Sequence, residues 1–245
     1  MILALKTFPF SEKYWENSLK KNYDIDKIQD FKVLKKNRQK FSPYQNNSGT
    51  IVAMANLNYC IIACDTRFTN GFTLPSKEIT RIIKISGKIL LGSSGMFSDI
   101  QFLQEKIQKG VEKFKNENRQ HFSLSECVHF LSSILYARRF FPLFAFNILT
   151  GLEKERKGQC FSFDAIGSFE KNKFCSAGKG QTVADVILDS KMACSSRAFL
   201  VEDLIFLKKL FVSVSYRGIT TGDGLQIFVL TKKGILIENS ILKQD

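Results

Sequence analysis

The chain has 245 residues, of which 44% are hydrophobic and 24% are charged, and it carries a formal net charge of +13. These values fit one large or two small folded domains and exclude collagen, a coiled coil and a chain that is disordered throughout. The sequence contains neither a run of about 18 uncharged apolar residues nor the core of a signal peptide. We therefore expect a globular protein without a membrane partner.

The cysteine and histidine content argues against a disulfide framework and against a metal site. The six cysteines are scattered along the chain and form no Cys-x-x-Cys pair, which favours free, mostly buried thiols in a reducing compartment. Two histidines are few for a zinc site. We expect no metal and no cofactor.

The net positive charge has two interpretations. Nucleic-acid binding is one of them, and a steep loss of affinity with rising salt would indicate it. The other is a solvated surface or a face that meets acidic protein neighbours. Because no basic-aromatic recognition motif accompanies the charge, the second interpretation is favoured and no nucleic-acid partner is expected.

Residues 1–48 differ from the rest of the chain. They are polar, rich in Lys, Asn and Tyr, and show no sustained hydrophobic period, so we interpret them as an N-terminal extension. Residues 49–245 contain no internal repeat or linker and are predicted to form one folded domain.

Strands are predicted at the start of that domain. Short apolar runs at residues 50–55 and 59–64 flank a turn at residues 56–58. This pattern predicts a hairpin in a sheet that is covered on both faces. A second pair of strands is predicted at residues 80–85 and 89–91.

Two helices are predicted next. Apolar residues recur every three or four positions from Ile100 to Phe114, which is typical of an amphipathic helix. Ser123 and Glu126 form the Ser-x-x-Glu pattern of a capping box at the start of the second helix. Pro142 marks the break after that helix.

The rest of the pattern completes the predicted architecture. The remaining predicted elements are strands at 144–149, 159–163 and 173–176, helices at 180–189 and 200–215, and a final hairpin at 225–231 and 235–238. Helices from both halves then cover opposite faces of two stacked sheets, which predicts an α-β-β-α sandwich.

Four short stretches, in their order and spacing, point to one family. They are residues 41–44 (FSPY), 135–142 (LYARRFFP), 147–152 (NILTGL) and 161–164 (FSFD). The chain from about residue 41 onward resembles the β-type subunits of the 20S proteasome, and among them the non-catalytic sixth β subunit. The resemblance implies an α+β fold of the N-terminal-nucleophile hydrolase type, a four-layer α-β-β-α sandwich with two stacked antiparallel sheets.

The active members of this family use a threonine that is freed by cleavage after a glycine. A hydroxyl is a poor nucleophile near neutral pH, and the α-amine of the same threonine, with a pKa of about 8, accepts its proton. A lysine supplies positive charge and a proton path, and two aspartates and a serine orient the group.

These functions do not carry over to the matching positions of this sequence. The family places its first aspartate sixteen residues after the nucleophile, and counting back from Asp65 gives Gly49, which has no hydroxyl. The lysine position is Arg81, and an arginine stays protonated and cannot relay a proton.

The other positions differ as well. The second aspartate aligns with Gly218, the serine of the Gly-Ser-Gly turn aligns with Gly178, and a serine three residues after the second aspartate appears as Thr221. Only Asp65 keeps the family's residue. We therefore predict no catalytic residue and regard these positions as vestigial.

An active subunit that uses Thr50 is the alternative, because Gly49-Thr50 also resembles the family's cleavage site. The sixteen-residue spacing would then require that the turn at residues 56–58 had lost one residue. Arg81, Gly178 and Gly218 would still be wrong, and losing members of a catalytic unit costs orders of magnitude in rate. This alternative predicts covalent labelling of Thr50 by an epoxyketone or a vinyl sulfone.

The resemblance also implies assembly into a hetero-oligomer. The expected partners are other β and α subunits in stacked seven-membered rings, with assembly chaperones, in the cytoplasm and nucleus, and the expected role is in ATP- and ubiquitin-dependent protein degradation. Since aromatic residues and arginine are enriched at interfaces, the candidate interface residues are Arg138, Arg139, Phe140 and Phe141.

The N-terminal extension resembles a propeptide. Without a nucleophile at Gly49 the chain cannot cleave itself there. By resemblance, a neighbouring active subunit is expected to trim the extension near Lys40 and Phe41, which would leave residues 41–48 as a short arm.

Overall fold

Two antiparallel five-stranded sheets form the centre of the computed structural model, which describes residues 43–120, 122–153, 157–194 and 199–242. The strands in chain order are β1 (Thr50–Ala55), β2 (Tyr59–Asp65), β3 (Phe68–Asn70), β4 (Thr73–Ser76), β5 (Ile82–Ser86), β6 (Ile89–Gly95), β7 (Ala145–Leu152), β8 (Gly158–Phe163), β9 (Phe169–Asn172), β10 (Phe174–Gly178), β11 (Gly224–Thr231) and β12 (Gly234–Ile241). The first sheet has the order β10-β1-β2-β11-β12, and the second has the order β5-β6-β7-β8-β9.

Helices cover the outer face of each sheet. Within the described residues they are α1 (Phe97–Asn118), α2 (Leu124–Tyr136), α3 (Gln181–Cys194) and α4 (Leu200–Arg217). Leu103 of α1 and Leu131 of α2 pack in one core with Leu149 of the second sheet. The helices α3 and α4 contribute Leu188 and Phe211 to a separate core with the first sheet.

A third apolar layer lies between the sheets. It contains Ile51 and Ile62 from the first sheet and Leu90 and Ile148 from the second, all of them buried. Side chains alternate along β1, so that Ile51 faces the other sheet while Val52 faces the helices. The result is a four-layer α-β-β-α sandwich, and the predicted fold is confirmed.

The predicted strands and helices are present, with small shifts at their ends. The strand predicted from residue 80 begins at Ile82. The capping box of α2 is formed as predicted: the Glu126 N–H donates to Ser123 Oγ at 3.3 Å, and the Ser123 N–H donates to Glu126 Oε2 at 2.7 Å. The short hairpin β3–β4 and the edge strand β9 were not predicted.

The chain is already packed against the sandwich before β1 begins. The Tyr44 hydroxyl donates to the Pro142 carbonyl at 2.8 Å. The Asn47 N–H donates to the Gly95 carbonyl at 3.0 Å, and Asn47 Oδ1 accepts the N–H of Phe97 at the start of α1 at 2.9 Å. Residues 44–48 therefore belong with the folded body, five residues before the boundary predicted at Gly49.

The rest of the predicted extension, including the predicted processing region at Lys40 and Phe41, lies outside the described residues. In the part of the chain that the structure describes, no helix is both long enough and apolar enough to cross a membrane.

Candidate functional site

The ends of three neighbouring strands bring the predicted positions together. In the first sheet, β1 pairs antiparallel with both β2 and β10, so that Thr50 lies opposite Gly178 and Ile51 lies opposite Cys64. The start of β1, the end of β2 and the end of β10 therefore meet at one edge. Arg81, which directly precedes β5, reaches this edge from the second sheet.

The Arg81 guanidinium fills the space beside Gly49. A Cβ added to Gly49 would lie 2.8 Å from Arg81 Nη1 and would overlap Cζ and Nε. Gly49 also has a φ of +98°, which L side chains rarely adopt. The backbone conformation and the position of the guanidinium thus both favour glycine at residue 49, which the resemblance aligns with the nucleophile of the active members.

The Arg81 guanidinium is buried, and only some of its N–H groups have hydrogen-bond partners. Its Nη2 donates to the Arg67 carbonyl at 2.5 Å, and its Nε lies 3.8 Å from Asp65 Oδ1. Within the described residues, Nε and Nη1 have no hydrogen-bond partner. Because the guanidinium stays charged, the Asp65 carboxylate is the nearby group that balances it.

Asp65 is fully buried at the end of β2. Its Oδ1 accepts the Thr50 N–H at 2.7 Å. Burial raises the pKa of Asp65 to about 6, and the positive charge of Arg81 and the N–H groups of Thr50 and Gly222 oppose this rise. At neutral pH, Asp65 is therefore ionised and supports both the start of β1 and the charge of Arg81.

Gly178 leaves no room for the family's serine. It has a φ of +104°, and a Cβ there would overlap the Gly49 carbonyl oxygen and lie 2.7 Å from Ser94 Oγ. That carbonyl accepts hydrogen bonds from the Lys179 N–H at 3.1 Å and from Ser94 Oγ at 3.0 Å. Ser94 thus holds the Gly49 carbonyl in place, a function that its sequence context does not predict.

The side chain of Thr50 points away from Arg81, toward the helices that cover the first sheet. Its Oγ1 lies 2.7 Å from Thr221 Oγ1 and accepts the Gly180 N–H at 3.1 Å. A Cβ on Gly180 would meet both Thr50 Oγ1 and Val214 of α4, so the hydroxyl lies on the helix side of β1. The Thr50 hydroxyl is therefore separated from Arg81 by the strand itself.

Gly218 is linked to the start of β1 indirectly, through its hydrogen bond with Thr221. It follows α4, its N–H donates to the Val214 carbonyl at 2.8 Å, and its own carbonyl accepts the Thr221 N–H at 3.3 Å. The structure thus brings Gly49, Asp65, Arg81 and Gly178 to one place. Thr221 contacts Thr50 on the helix side of β1, and Gly218 lies one turn from Thr221.

A second buried ion pair, which sequence reasoning missed, positions Arg81. Arg67 donates from Nε to Asp223 Oδ2 at 2.8 Å and from Nη2 to Asp223 Oδ1 at 3.2 Å. This pair fixes Arg67, whose carbonyl accepts from Arg81. Arg67 and Asp223 are 156 residues apart in the sequence, so no local pattern indicates that they meet.

The peptide bond before Gly49 is also held in the interior. Ser48 is fully buried, with its Oγ bonded to Thr69 Oγ1 and its N–H donating to Asn46 Oδ1 at 2.9 Å. The Ser48–Gly49 peptide bond is therefore buried.

The predicted interface residues form an exposed cluster after α2. The Arg139 guanidinium lies 4.5 Å from the centre of the Phe140 ring, and Arg138 lies 5.2 Å from that of Phe102. Phe140 is 88% exposed, whereas Phe141 stacks on Tyr44 at 5.4 Å.

The described residues contain no group of three or more His, Cys, Asp or Glu side chains that could hold a metal ion.

The four-layer sandwich, with its site at the start of β1, is a fold of the N-terminal-nucleophile hydrolase type. The model of the Proteasome subunit family matches residues 45–230. The protein named "Proteasome subunit beta type-1" is 35% identical to this chain over 221 residues both in Petunia hybrida and in Arabidopsis thaliana, covering 86% of this chain and 99% of each relative.

A more distant relative is "Probable proteasome subunit beta type-6" of Schizosaccharomyces pombe, which is 27% identical over 223 residues and covers 85% of this chain and 99% of the relative. The chain belongs to the proteasome subunit family, and it is a β subunit of the core particle. The relatives carry two different β-type numbers, so their names do not fix its ring position.

Replacing Gly49 tests whether the guanidinium fills the neighbouring space. We expect Gly49→Ala to lower the free energy of unfolding by about 1–2 kcal/mol for its backbone conformation and by about 1–3 kcal/mol more for overpacking against Arg81. Gly71→Ala is the matched control, because Gly71 also has a positive φ but has open space around it. Urea unfolding of the full-length chain measures both, and equal losses would contradict this assignment.

The raised pKa of Asp65 predicts a pH dependence. The folded state holds the proton more tightly than the unfolded state, so the resulting stabilisation is complete below about pH 4 and is lost as the pH rises through about 6. Relative to Asp65→Asn, which does not titrate, the wild-type free energy of unfolding should fall by roughly 3 kcal/mol or less over this range. Urea unfolding of both chains at a series of pH values measures the difference, and a flat or rising difference would refute the raised pKa.

Proposed function

We propose that this β subunit is non-catalytic and has a structural role in the 20S core particle, where it helps to build the β ring and the proteolytic chamber. The observation that carries the proposal is the Arg81 guanidinium in the space beside Gly49. The position that carries the nucleophile in active relatives has no hydroxyl here, and its side-chain space is taken by a cation.

The chain also lacks the means to free a base at residue 49. Active members of the family cut their own chain to release the α-amine that accepts the proton, and Gly49 has no hydroxyl with which to make that cut. Arg81 does not replace that base, since a guanidinium does not give up its proton near neutral pH. Residue 49 therefore has no hydroxyl, either to cleave its own chain or to attack a substrate.

An active Thr50 is the competing function. Cleavage before Thr50 would free an amine next to Asp65, which now accepts the Thr50 N–H. The Thr50 hydroxyl, however, is bonded to Thr221 and Gly180 on the helix side of β1. A substrate at the Arg81 side would not reach it without a rearrangement of the strand.

We place the subunit at the sixth position of the β ring. This placement rests on the stretches at residues 135–142 and 147–152. The relative from Schizosaccharomyces pombe has that number in its name, whereas the relatives from Petunia hybrida and Arabidopsis thaliana, at higher identity, are named type-1.

The proposed partners are the other α and β subunits in stacked seven-membered rings, together with assembly chaperones, in the cytoplasm and nucleus and in ATP- and ubiquitin-dependent degradation. Ring positions need large interfaces, of about 2,000 Å² or more. The cluster Arg138, Arg139, Phe140 and Phe141 offers exposed aromatic and cationic groups of the kind that such interfaces use.

Intact mass spectrometry of the subunit from core particles treated with an epoxyketone tests the inactive assignment. We expect a chain that retains residues upstream of Gly49 and carries no adduct, because the Ser48–Gly49 bond is buried. Labelled active subunits in the same particles serve as the positive control. A chain that begins at Thr50 and carries the inhibitor would establish the competing function.

Phe140→Ala tests the candidate interface. Since Phe140 is 88% exposed, its loss should change the stability of the isolated chain by no more than about 0.5 kcal/mol. If the ring covers it, the variant should be incorporated into core particles several-fold less than co-expressed wild type. Leu57→Ala, on the exposed turn after β1, is the control. Equal incorporation of Phe140→Ala and wild type would remove Phe140 from the interface.

A further inference from the structure

Sulfur is concentrated in the apolar layer between the two sheets. Among the described residues, this layer contains Cys60, Cys64, Cys160 and Cys175, all of them buried free thiols. Cys160 belongs to β8 of the second sheet, and Cys175 belongs to β10 of the first. These two cysteines thus face each other across the layer.

The two thiols are in direct contact. Cys175 donates its S–H to Cys160 Sγ, with the two sulfur atoms 3.5 Å apart. Cys160 donates in turn to the Asn172 carbonyl at 2.8 Å. Cys60, by contrast, directs its S–H at the Gly151 carbonyl at 3.2 Å, so a backbone oxygen is its partner.

This contact is close to the geometry that a disulfide requires. A disulfide has an S–S distance of about 2.05 Å and Cα atoms about 4.4–6.8 Å apart. The two sulfur atoms, at 3.5 Å, already point at each other, so the side chains have to move the sulfur atoms closer by about 1.5 Å to form the bond. The small side chains Ala53 and Ala177 in the same layer allow this close approach of the sheets.

We propose that Cys160 and Cys175 are an oxidisable dithiol that forms a disulfide between the two sheets when it reacts with a hydroperoxide. The proposal is independent of the catalytic status of the subunit. It assigns a modification site within the sandwich, and the oxidant class is a small peroxide such as hydrogen peroxide.

The reaction proceeds in two balanced steps. Cys175 is 5% exposed and Cys160 is fully buried, so the peroxide reaches Cys175 first. Cys175 reacts with hydrogen peroxide to give a sulfenic acid and one water. The Cys160 sulfur then attacks the Cys175 sulfur, the S–O bond breaks, and the Cys160 proton leaves with the hydroxyl as a second water. Two thiols lose one electron each, and the peroxide takes up both.

Cys160 reacts second because solvent does not reach it. The hydrogen bond from Cys175 and burial both raise the pKa of Cys160, so its proton has to pass to the departing hydroxyl as the S–S bond forms. Cys160 is fully buried and so is held as a thiol out of contact with solvent. It therefore reacts through its neighbour and not directly with the oxidant.

The disulfide would connect β10 of the first sheet to β8 of the second. The last residue of β10, Gly178, pairs with Thr50 at the start of β1. Fixing β10 to β8 restrains both sheets in the folded state and shortens the unfolded chain, so the oxidised protein should resist urea better than the reduced one.

The test is to treat the full-length chain with hydrogen peroxide, block remaining thiols with N-ethylmaleimide and map the peptides without reduction. We expect a linked peptide of Cys160 and Cys175 with the mass of two hydrogens missing. We also expect an upward shift of the urea midpoint that dithiothreitol reverses. Cys160→Ala and Cys175→Ala should each abolish the linkage and the shift. Cys127→Ala, which removes a buried thiol of α2 in another apolar core, should keep both.

Two results would overturn the proposal. One is N-ethylmaleimide on both Cys160 and Cys175 after peroxide treatment. The other is a different product, either a sulfinic acid on one of them or a linkage to Cys60. The peptide map of the wild-type chain decides between these outcomes even if an alanine variant fails to fold.

Discussion

A buried cation between the two sheets is the constraint on which the site depends. Removing a guanidinium from water costs several kcal/mol unless a carboxylate and hydrogen-bond acceptors replace the solvent. Asp65 supplies the charge at 3.8 Å, and the carbonyl of Arg67 supplies a strong acceptor. The guanidinium then occupies a fixed volume, and the residue beside it, Gly49, must lack a side chain. The absence of a side chain at residue 49 and the presence of Arg81 beside it are thus two aspects of one packing arrangement.

The polar network around this cation holds distant parts of the chain together. Arg67 is fixed by Asp223, and Asp65 receives the N–H of Thr50. The segment before β1 is tied to the start of α1 by Asn47. Because the partners of these groups lie on other elements, a change at one strand end is transmitted to the others. These contacts join the two sheets at the start of β1, which agrees with the structural role proposed for the subunit.

The sequence predicted the architecture where hydrophobic period and caps are strong, as in β1, β2, α1 and the capping box of Ser123. It failed for β3–β4 and β9, because these strands are short and largely exposed and carry no apolar alternation. The sixteen-residue spacing, taken from the family resemblance, named Gly49, Asp65 and Arg81, and these residues do lie together. Antiparallel pairing of β1 with β2 brings Gly49 to Asp65, whereas Arg81 comes from the second sheet. The spacing gave neither the direction of the guanidinium nor the contact between Cys160 and Cys175, because both depend on how one sheet lies on the other, and no local pattern encodes that placement.

The proposed loss of activity is built into the backbone as well as the side chains. A threonine at residue 49 would need a different φ and a displaced Arg81. Even with a lysine at residue 81, the supporting serine would still be missing, because a Cβ at Gly178 overlaps the carbonyl of Gly49 and its φ is +104°. That same carbonyl is held by Ser94 and the Lys179 N–H, so moving it breaks two hydrogen bonds. Side-chain exchanges alone therefore do not regenerate the hydrolytic site, since the turn after β10 and the start of β1 would have to be rebuilt together.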